Sequence, residues 1–270
     1  MSPRSEPVIT KGLILENRAL AKNTFTLTLS CPEAWRFKQP GAFIKLRAWP
    51  ELAEGGTPVL DRPFSIHQVE TGSFKILYRV IGRATHLLSV LTPGTSVKIT
   101  GPLGHTLPEV ETGRNDFYLV AGGIGLAPMA EVKAWVLAGG AQANLLYGER
   151  RGALQVNKAW LSSWAGDFTA TVEDGQGYGQ KGLVTEALTK ALARAPRSIF
   201  ACGPTPMLAA IANLAKQFKI SAWVSLEAGM ACGLGVCLTC SLPLKGGGRF
   251  RVCQEGPVIE AAAVAWEELR

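Results

Sequence analysis

The sequence has none of the long apolar runs that mark exported or membrane-spanning proteins. Its first residues, MSPRSEPVIT, contain no apolar segment like that of a secretory signal. Its longest apolar stretch, residues 118–140, is interrupted by Pro128, Glu131 and Lys133, so it does not predict a membrane span. We therefore expect a cytoplasmic protein without membrane contact, in a reducing compartment where six cysteines do not indicate disulfides.

Long runs of like charge are also missing. The chain carries 28 basic and 21 acidic residues, a net charge of +7, yet no basic run is longer than two residues. Such a scattered basic surface favours solubility or an acidic partner over nucleic-acid binding. No internal repeat or low-complexity tract is present. With 270 residues, 47% of them hydrophobic, the chain is long enough for two domains and a small module.

The pattern of the chain changes twice. From residue 8 to about 108, short β-rich segments such as FTLTLS and FKILYRV alternate with turns, which predicts an antiparallel barrel or sandwich. The segment ATHLLSVLTPG has helical spacing and is expected to cover one end. From residue 116, strand and helix patterns alternate four times, which predicts a doubly wound parallel sheet. The expected domains are 1–110, 111–221 and a cysteine-containing module, 222–270.

Four of the six cysteines lie close together in that last module. Their spacing is C-x4-C-x2-C-x12-C, with the cysteines at Cys232, Cys237, Cys240 and Cys253. Three cysteines in one continuous loop plus a distant fourth is the plant-type pattern of a [2Fe–2S] cluster. Gly233 and Gly235 give the loop backbone room to wrap closely around a cluster. A zinc site is the alternative, although zinc cysteines usually form two separated pairs; inert core packing is the third.

Two glycine-rich turns follow strands of the predicted parallel sheet. The segment YLVAGGIGLAPM places Gly122, Gly123 and Gly125 between a strand and a helix, where backbone N–H groups attract phosphate. It departs from G-x-G-x-x-G, so an ordinary tight turn is the alternative. The segment ACGPTPML ends a later strand with Cys202, Gly203 and Pro204. Ligands bind at such strand ends, but a turn that starts a helix has the same pattern.

The barrel segment DRPFSI combines an arginine with a serine three residues later. On a straight strand Arg62 and Ser65 point to opposite faces, unless the chain bends at Pro63. Taken alone, the pair is typical of a surface arginine and a strand serine.

The order of these motifs resembles the ferredoxin–NADP reductase superfamily, with RPFS in a flavin barrel and GGIGLAP and CGP in a nucleotide domain. SLEAGMACGLGVCLTC and RVCQEGPVI narrow the resemblance to the electron-transfer subunits of class 1B dihydroorotate dehydrogenases, across nearly the whole chain. The cysteine segment is the specific part, because many relatives share the glycine motifs. The resemblance implies an antiparallel flavin-binding barrel, a doubly wound nucleotide-binding domain and a small C-terminal [2Fe–2S] module.

The resemblance also implies roles for individual residues. Those expected to bind FAD are Arg62, Pro63, Phe64, Ser65, Leu77, Tyr78, Arg79, Ala84 and Thr85. Within this set, Arg62 would hold the pyrophosphate, Ser65 would lie near flavin N5, and Ala84 and Thr85 would hold the phosphates. The family usually has glycine in place of Ala84, so the loop there can differ. The glycines of the first turn would approach NAD phosphate, and Cys202 would lie near the nicotinamide. Gly203 and Pro204, which follow Cys202, are also expected to bind the cofactor. All four cluster cysteines match the family pattern.

The implied function is electron transfer in pyrimidine biosynthesis. A partner subunit containing FMN would oxidise dihydroorotate, and this chain would pass the electrons through [2Fe–2S] and FAD to NAD⁺, as a heterotetramer of two of each subunit. We assign no catalytic base in this chain. The alternatives are a diaphorase-type subunit of a hydrogenase or sulfide reductase, and a zinc-stabilised flavin protein. Apolar residues at 234–236 are the expected partner contact, or a loop that shields the cluster.

The choice between the two nicotinamide cofactors depends on the segment YGERRG. Glu149 can hydrogen-bond a ribose 2′-hydroxyl, which favours NAD. Arg150 and Arg151 can meet a 2′-phosphate, which favours NADP. The family resemblance favours NAD.

Overall fold

The computed structural model describes residues 6–32, 34–48, 60–105, 107 and 116–269. The predicted boundary between the first two domains, at residues 110 and 111, lies outside these ranges. Within them, no helix combines the length and the apolar character needed to cross a membrane.

The first part of the chain is a closed antiparallel barrel with strand order β1-β2-β5-β4-β3-β6, which confirms the predicted barrel. Its strands are β1 (Val8–Ala21), β2 (Thr24–Ser30), β3 (Phe43–Arg47), β4 (Arg62–Glu70), β5 (Ser73–Arg79) and β6 (Ser96–Leu103). Alternate residues of β2 point inward because side chains alternate along a strand. Leu27 and Leu29 lie opposite Ile76 and Phe74 of β5, and all four are fully buried.

The predicted end-covering helix is present as α1 (Arg83–Ser89). Its buried Leu88 packs into the barrel core. The helix begins where the Thr85 hydroxyl accepts hydrogen bonds from the N–H groups of Ile81 and Gly82, at 3.0 and 3.2 Å. Asn17 of β1 donates to the carbonyl of Leu88 at 2.9 Å, which ties the helix end to the barrel wall.

The second part is a sheet with helices on both faces, which confirms the doubly wound prediction. Its elements are β7 (Phe117–Gly122), α2 (Met129–Ala138), β8 (Ala143–Glu149), α3 (Lys158–Ala165), β9 (Phe168–Val172), β10 (Gln180–Lys181), α4 (Val184–Arg194), β11 (Ser198–Cys202) and α5 (Thr205–Phe218). Along β7, Tyr118 and Val120 face the core under α4 and α5. Phe117 and Leu119 face the core under α2 and α3.

The C-terminal segment is built into this sheet. Its strands are β12 (Ala222–Ser225), β13 (Ser241–Pro243), β14 (Arg249–Arg251) and β15 (Val258–Glu260). The order of the seven-stranded sheet is β10-β9-β8-β7-β11-β12-β15, with only β15 antiparallel to its neighbour. The predicted module begins at residue 222, whereas the structure places residues 222–225 in the sheet, because Val224 and its neighbours are apolar enough to pack beside β11.

The cysteine loop lies between β12 and β15, with the β13–β14 hairpin beside it. Cys240, Phe250 and Cys253 share one hydrophobic core with Leu208 and Ile211 of α5. The cysteine segment is thus packed on the nucleotide-domain core rather than folded around a core of its own.

Candidate functional site

A cavity of about 520 Å³ lies between the barrel and the carboxyl end of the sheet. All nine barrel residues predicted to bind FAD line it: Arg62, Pro63, Phe64, Ser65, Leu77, Tyr78, Arg79, Ala84 and Thr85. Its size is in the range of small-molecule and cofactor sites. Arg62 and Ser65 both line this cavity, although the β3–β4 pairing is unbroken from Arg62 to Ser65. Arg62 and Ser65 therefore reach the same cavity without a break in the strand pairing.

The barrel side of the cavity combines a rigid aromatic wall with a cation. Tyr78 is buried and its hydroxyl donates to Asn17 Oδ1 at 2.9 Å, while its ring meets Phe64 edge-on at 6.1 Å. The Arg62 guanidinium donates to the carbonyl of Leu60 at 2.7 Å. A flat apolar surface beside a forked cation suits an aromatic ring system that carries phosphate. These residues fit a flavin dinucleotide.

The two glycine-rich turns are packed backbone against backbone. A Cβ on Gly125 would lie 2.1 Å from the carbonyl oxygen of Cys202, and a Cβ on Gly122 would lie 2.8 Å from Cδ of Pro204. Both contacts are too short for any side chain, so glycine is required by this close approach. Of the six predicted nucleotide-site residues, only Cys202 lines the cavity. The nucleotide roles of Gly122, Gly123, Gly125, Gly203 and Pro204 stay predictions.

Cys202 is placed where the barrel, the sheet and the cysteine segment meet. It lines the cavity together with Ser65 of β4 and with Ser225 and Glu227, for which the sequence predicts no individual role. Cys202 is 2% exposed, and burial raises the pKa of its thiol well above its usual range. The group is therefore a neutral thiol at neutral pH. Ser225 and Glu227 lie in the SLEAGMACGLGVCLTC segment that carries the family resemblance, but only the fold shows that they reach the cavity.

A buried ion pair joins the barrel to the sheet beside the cavity. Arg79 Nη2 lies 2.6 Å from Glu149 Oε2, and the two side chains are 17% and 3% exposed. Glu149 Oε1 also accepts a hydrogen bond from the N–H of Arg150 at 3.0 Å. The ion pair and the backbone hydrogen bond leave further lone pairs on the carboxylate, so the predicted contact of Glu149 with a ribose hydroxyl stays a prediction. The structure adds a contact between the barrel and the sheet to this residue.

His67 forms a second contact between the two domains. Its Nδ1–H donates to the carbonyl of Ala127 at 2.8 Å, and Ala127 follows the first glycine turn and lines the cavity. The ring stacks on Trp160 at 5.3 Å and meets Trp164 edge-on at 5.2 Å. Burial lowers the pKa of His67 to about 4, so the ring is neutral at physiological pH. This contact fixes the glycine turn relative to the strand that carries Arg62 and Ser65.

The four cysteines of the loop fall into two pairs. Sγ of Cys240 and Sγ of Cys253 are 3.2 Å apart and buried. Cys232 and Cys237 interact through a side-chain hydrogen bond, which depends on the chain turning back at Gly233 and Gly235 with φ of +76° and +79°. In the described part of the chain, no three Cys, His, Asp or Glu side chains are grouped closely enough to hold one metal ion.

This paired arrangement suits a [2Fe–2S] cluster. A structural zinc ion takes four ligands at once. In a [2Fe–2S] cluster each iron takes two thiolates, so two pairs are sufficient. Backbone N–H groups already point at the sulfurs: that of Leu234 lies 3.3 Å from Cys232 Sγ, and that of Gly235 lies 3.1 Å from Cys253 Sγ. Hydrogen bonding from the Thr239 side chain lowers the pKa of Cys237 to about 6. The loop fits a [2Fe–2S] cluster.

The cluster loop and the cavity are contiguous. Met230 and Val252 line the cavity, and they lie two residues before Cys232 and one residue before Cys253. A group bound in the cavity is therefore separated from the cysteines by very little protein.

Two parts of the chain match known families. Residues 227–265 match the iron–sulfur cluster binding domain of dihydroorotate dehydrogenase B, and residues 119–213 match the oxidoreductase NAD-binding domain. Among solved structures, a chain of an NADH-dependent reduced ferredoxin–NADP oxidoreductase, studied for flavin-based electron bifurcation, has a TM-score of 0.83 at 26% identity. The match covers 96% of this chain and 91% of that one. A ferredoxin reductase of carbazole 1,9a-dioxygenase has the same fold, with a TM-score of 0.66 at 19% identity over 81% of this chain and 68% of that one.

Similarity to curated proteins extends over nearly the whole chain. The electron transfer subunit of dihydroorotate dehydrogenase B (NAD(+)) from Caldanaerobacter subterraneus subsp. tengcongensis is 33% identical, over 94% of this chain and 97% of that relative. The subunit of the same name from Bacillus cereus is 32% identical, over 93% and 96%. FAD, a [2Fe–2S] cluster and NAD are the cofactors that this fold and these domains support. With the barrel, the sheet and the cysteine loop all accounted for, the chain belongs to the family of dihydroorotate dehydrogenase B electron transfer subunits.

Proposed function

We propose that this chain passes electrons from a dihydroorotate-oxidising, FMN-containing partner subunit through a [2Fe–2S] cluster and FAD to NAD⁺. The observation that carries the proposal is the single cavity on which all three parts of the chain converge. Barrel residues form one side, Cys202 at the end of a sheet strand forms another, and Met230 and Val252 lead to the cysteine loop. A nicotinamide cofactor exchanges a hydride and a [2Fe–2S] cluster exchanges single electrons, and a flavin between them can do both.

The chain's own residues bind and orient the cofactors. Arg62 is expected to clamp the FAD pyrophosphate, and the wall of Tyr78 and Phe64 orients the flavin ring. Ser65 and Cys202 line the cavity from the barrel and the sheet, and this position supports the proposal that they would flank a nicotinamide stacked on a flavin. Because Cys202 is a buried neutral thiol, it places no negative charge beside that position. These residue roles follow from the family resemblance and the geometry of the cavity.

The partner is expected to dock at the cysteine loop, because the cluster must lie near the electron donor. Leu234, Val236 and Leu238 are 52%, 80% and 59% exposed there. Exposed apolar side chains grouped on one loop are typical of a protein contact. We propose a heterotetramer of two copies of each subunit, in the cytoplasm.

The central experiment compares the isolated chain with the reconstituted complex. The isolated chain should oxidise NADH with an artificial acceptor, more efficiently than NADPH, but should not convert dihydroorotate to orotate. Adding the FMN-containing subunit should restore dihydroorotate-dependent NAD⁺ reduction. Orotate production by the isolated chain would overturn the assignment. Failure of that subunit to bind, with a hydrogenase or sulfide reductase subunit copurifying instead, would favour the diaphorase alternative.

The docking surface has a matched control within the chain. Leu234→Glu should weaken complex formation and leave NADH oxidation by the isolated chain unchanged. Leu137, at the end of α2, is 51% exposed, and Leu137→Glu places the same charge on the same residue type away from the cysteine loop. Equal complex formation by both variants would remove the loop from the interface.

A further inference from the structure

Lys45 is a buried lysine of the barrel that extends to the cysteine loop. It lies on β3, is 6% exposed, and its ammonium group donates to the carbonyl oxygens of Ala231 and Cys232, the latter at 3.2 Å. Burying an ammonium group has a large desolvation cost unless its hydrogen bonds are satisfied. Both of its hydrogen-bond partners among the described residues are neutral backbone carbonyls of the cysteine loop.

The loop backbone is shaped around this side chain. A Cβ on Gly233 would lie 2.7 Å from Cδ of Lys45, and Gly233 has a φ of +76°. Glycine is therefore needed both for the turn and for the close approach of the lysine stem. The same lysine lies opposite Pro63 in the β3–β4 pairing, beside the strand that lines the cavity. Lys45 thus lies between the flavin strand and the first cluster cysteine.

Asp61 is the acidic residue of the barrel that lies near Lys45. Asp61 is 8% exposed and forms ion pairs with Arg47 and with Lys98, the latter at 3.5 Å. The Asp61 carboxylate thus pairs directly with those two cations, and Lys45 acts on it more weakly. Lys45 is left as the buried cation whose hydrogen bonds go to the cysteine loop.

We propose that Lys45 is a positioning residue that holds the cluster loop against the flavin barrel and raises the reduction potential of the cluster. The proposal rests on the proposed cluster and deepens it. Four thiolates make the site negative, and each electron gained adds a further negative charge. A fixed cation in a poorly screened interior favours the reduced form. Net charge and hydrogen bonding around the sulfurs are established controls of iron–sulfur potentials.

The test is a redox titration of the complete chain with dithionite, with the cluster followed by its electron paramagnetic resonance signal and FAD by absorbance. Lys45→Met keeps the length of the side chain and removes the charge. We expect the equilibrium constant for one-electron reduction of its cluster to fall about tenfold, which is about 59 mV. Lys45→Arg keeps the charge and should retain the parent potential, as should Lys75→Met elsewhere on the barrel.

The outcomes separate this proposal from the proposed function. A parent protein without iron and acid-labile sulfide would refute the cluster itself. If iron-replete Lys45→Met has the same cluster reduction potential as the parent protein, only the proposed role of Lys45 is overturned. If Lys45→Met does not retain the cluster, Asp61→Asn provides the second test, because removing a negative charge beside Lys45 should raise the potential. A lowered or unchanged potential in Asp61→Asn would then overturn the proposal.

Discussion

Arg79, at the end of β5 in the barrel, and Glu149, at the end of β8 in the sheet, form a buried ion pair with a distance of 2.6 Å. Two backbone hydrogen bonds across the same junction accompany it, from the N–H of Lys22 to Ala153 and from the N–H of Asn157 to Leu20. The pair lies beside the cavity, so the relative position of the two domains and the width of the cavity depend on it.

Removing one member of this ion pair should lower the free energy of unfolding more than removing both charges. Arg79→Met leaves the Glu149 carboxylate buried without its partner, and loss of one member of a buried pair typically costs about 3–5 kcal/mol of stability. Adding Glu149→Gln to Arg79→Met should recover part of the loss. Chemical denaturation of the single and double variants measures the difference. A double variant that is less stable than Arg79→Met would contradict this account of the pair.

His67 should make the protein sensitive to acid. The folded state keeps His67 neutral down to about pH 4, whereas the unfolded chain binds its proton near pH 6.5. The unfolded state binds more protons between these values, so the free energy of unfolding falls as pH decreases through this window. At 1.36 kcal/mol for each pH unit, the loss is roughly 3 kcal/mol. Denaturation at several pH values should show it.

The matched variant for this test is His67→Phe, which keeps a ring between Trp160 and Trp164 but cannot titrate. Lys75 is the cation that acts on His67, and it is unchanged in both proteins. The variant should be less stable at pH 7, because the hydrogen bond to Ala127 is lost. Its stability should depend less on pH between 6.5 and 4. An identical pH dependence would show that other groups cause the acid sensitivity.

Gly125→Ala should distort the first glycine turn, which contains Gly122, Gly123 and Gly125. The new Cβ would lie 2.1 Å from the carbonyl oxygen of Cys202, and neither backbone can move without disturbing the other turn. We expect a loss of stability of about 1–3 kcal/mol, as for other overpacked sites, and slower reduction of FAD by NADH. Gly229→Ala is the control, because a Cβ there meets nothing within 4 Å. Stopped-flow reduction and thermal unfolding measure both effects.

The cluster prediction concerns all four cysteines of the loop. Changing Cys237 to Ser should lower the iron content and bleach the cluster absorbance, while FAD stays bound because the barrel residues that line its cavity are unchanged. Cys31→Ser is the control, since Cys31 is buried in the barrel core. Iron, sulfide and flavin analysis of the purified variants measures the outcome. Full cluster occupancy in Cys237→Ser would exclude that residue as a ligand.

Arg62 should be required for tight binding of FAD. A hydrogen bond to a charged group contributes about 1.5–3 kcal/mol, so Arg62→Ala should weaken FAD binding about tenfold or more. Arg18→Ala removes an exposed barrel arginine that pairs with Glu16 on the surface, and it should have no effect. Fluorescence titration of the flavin-free protein measures both affinities. Unchanged affinity in Arg62→Ala would place the residue outside the flavin site.

Local sequence patterns were sufficient for the architecture and for the cluster loop. Strand and helix periodicity is set by neighbouring residues, so the barrel, the alternating sheet and α1 could be predicted segment by segment. The cysteine spacing lies within one short segment, and the paired arrangement follows from the turns at Gly233 and Gly235. The RPFS motif predicts a flavin site only through the family resemblance, because on a straight strand Arg62 and Ser65 point to opposite faces.

Contacts between distant segments required the tertiary structure. The sequence predicts a ribose contact for Glu149, and only the folded chain shows that its carboxylate also pairs with Arg79, 70 residues away. Lys45 belongs to no recognised motif, and Cys232, whose carbonyl accepts its hydrogen bond, is 187 residues away. Residues 222–225 were assigned to the cysteine module, and only the sheet shows that they pair with β11. The sequence by itself therefore determined which elements are present and which four cysteines are the candidate cluster ligands. The tertiary structure alone decided which charges are buried together, because burial and ion pairing depend on segments that meet only when the chain has folded.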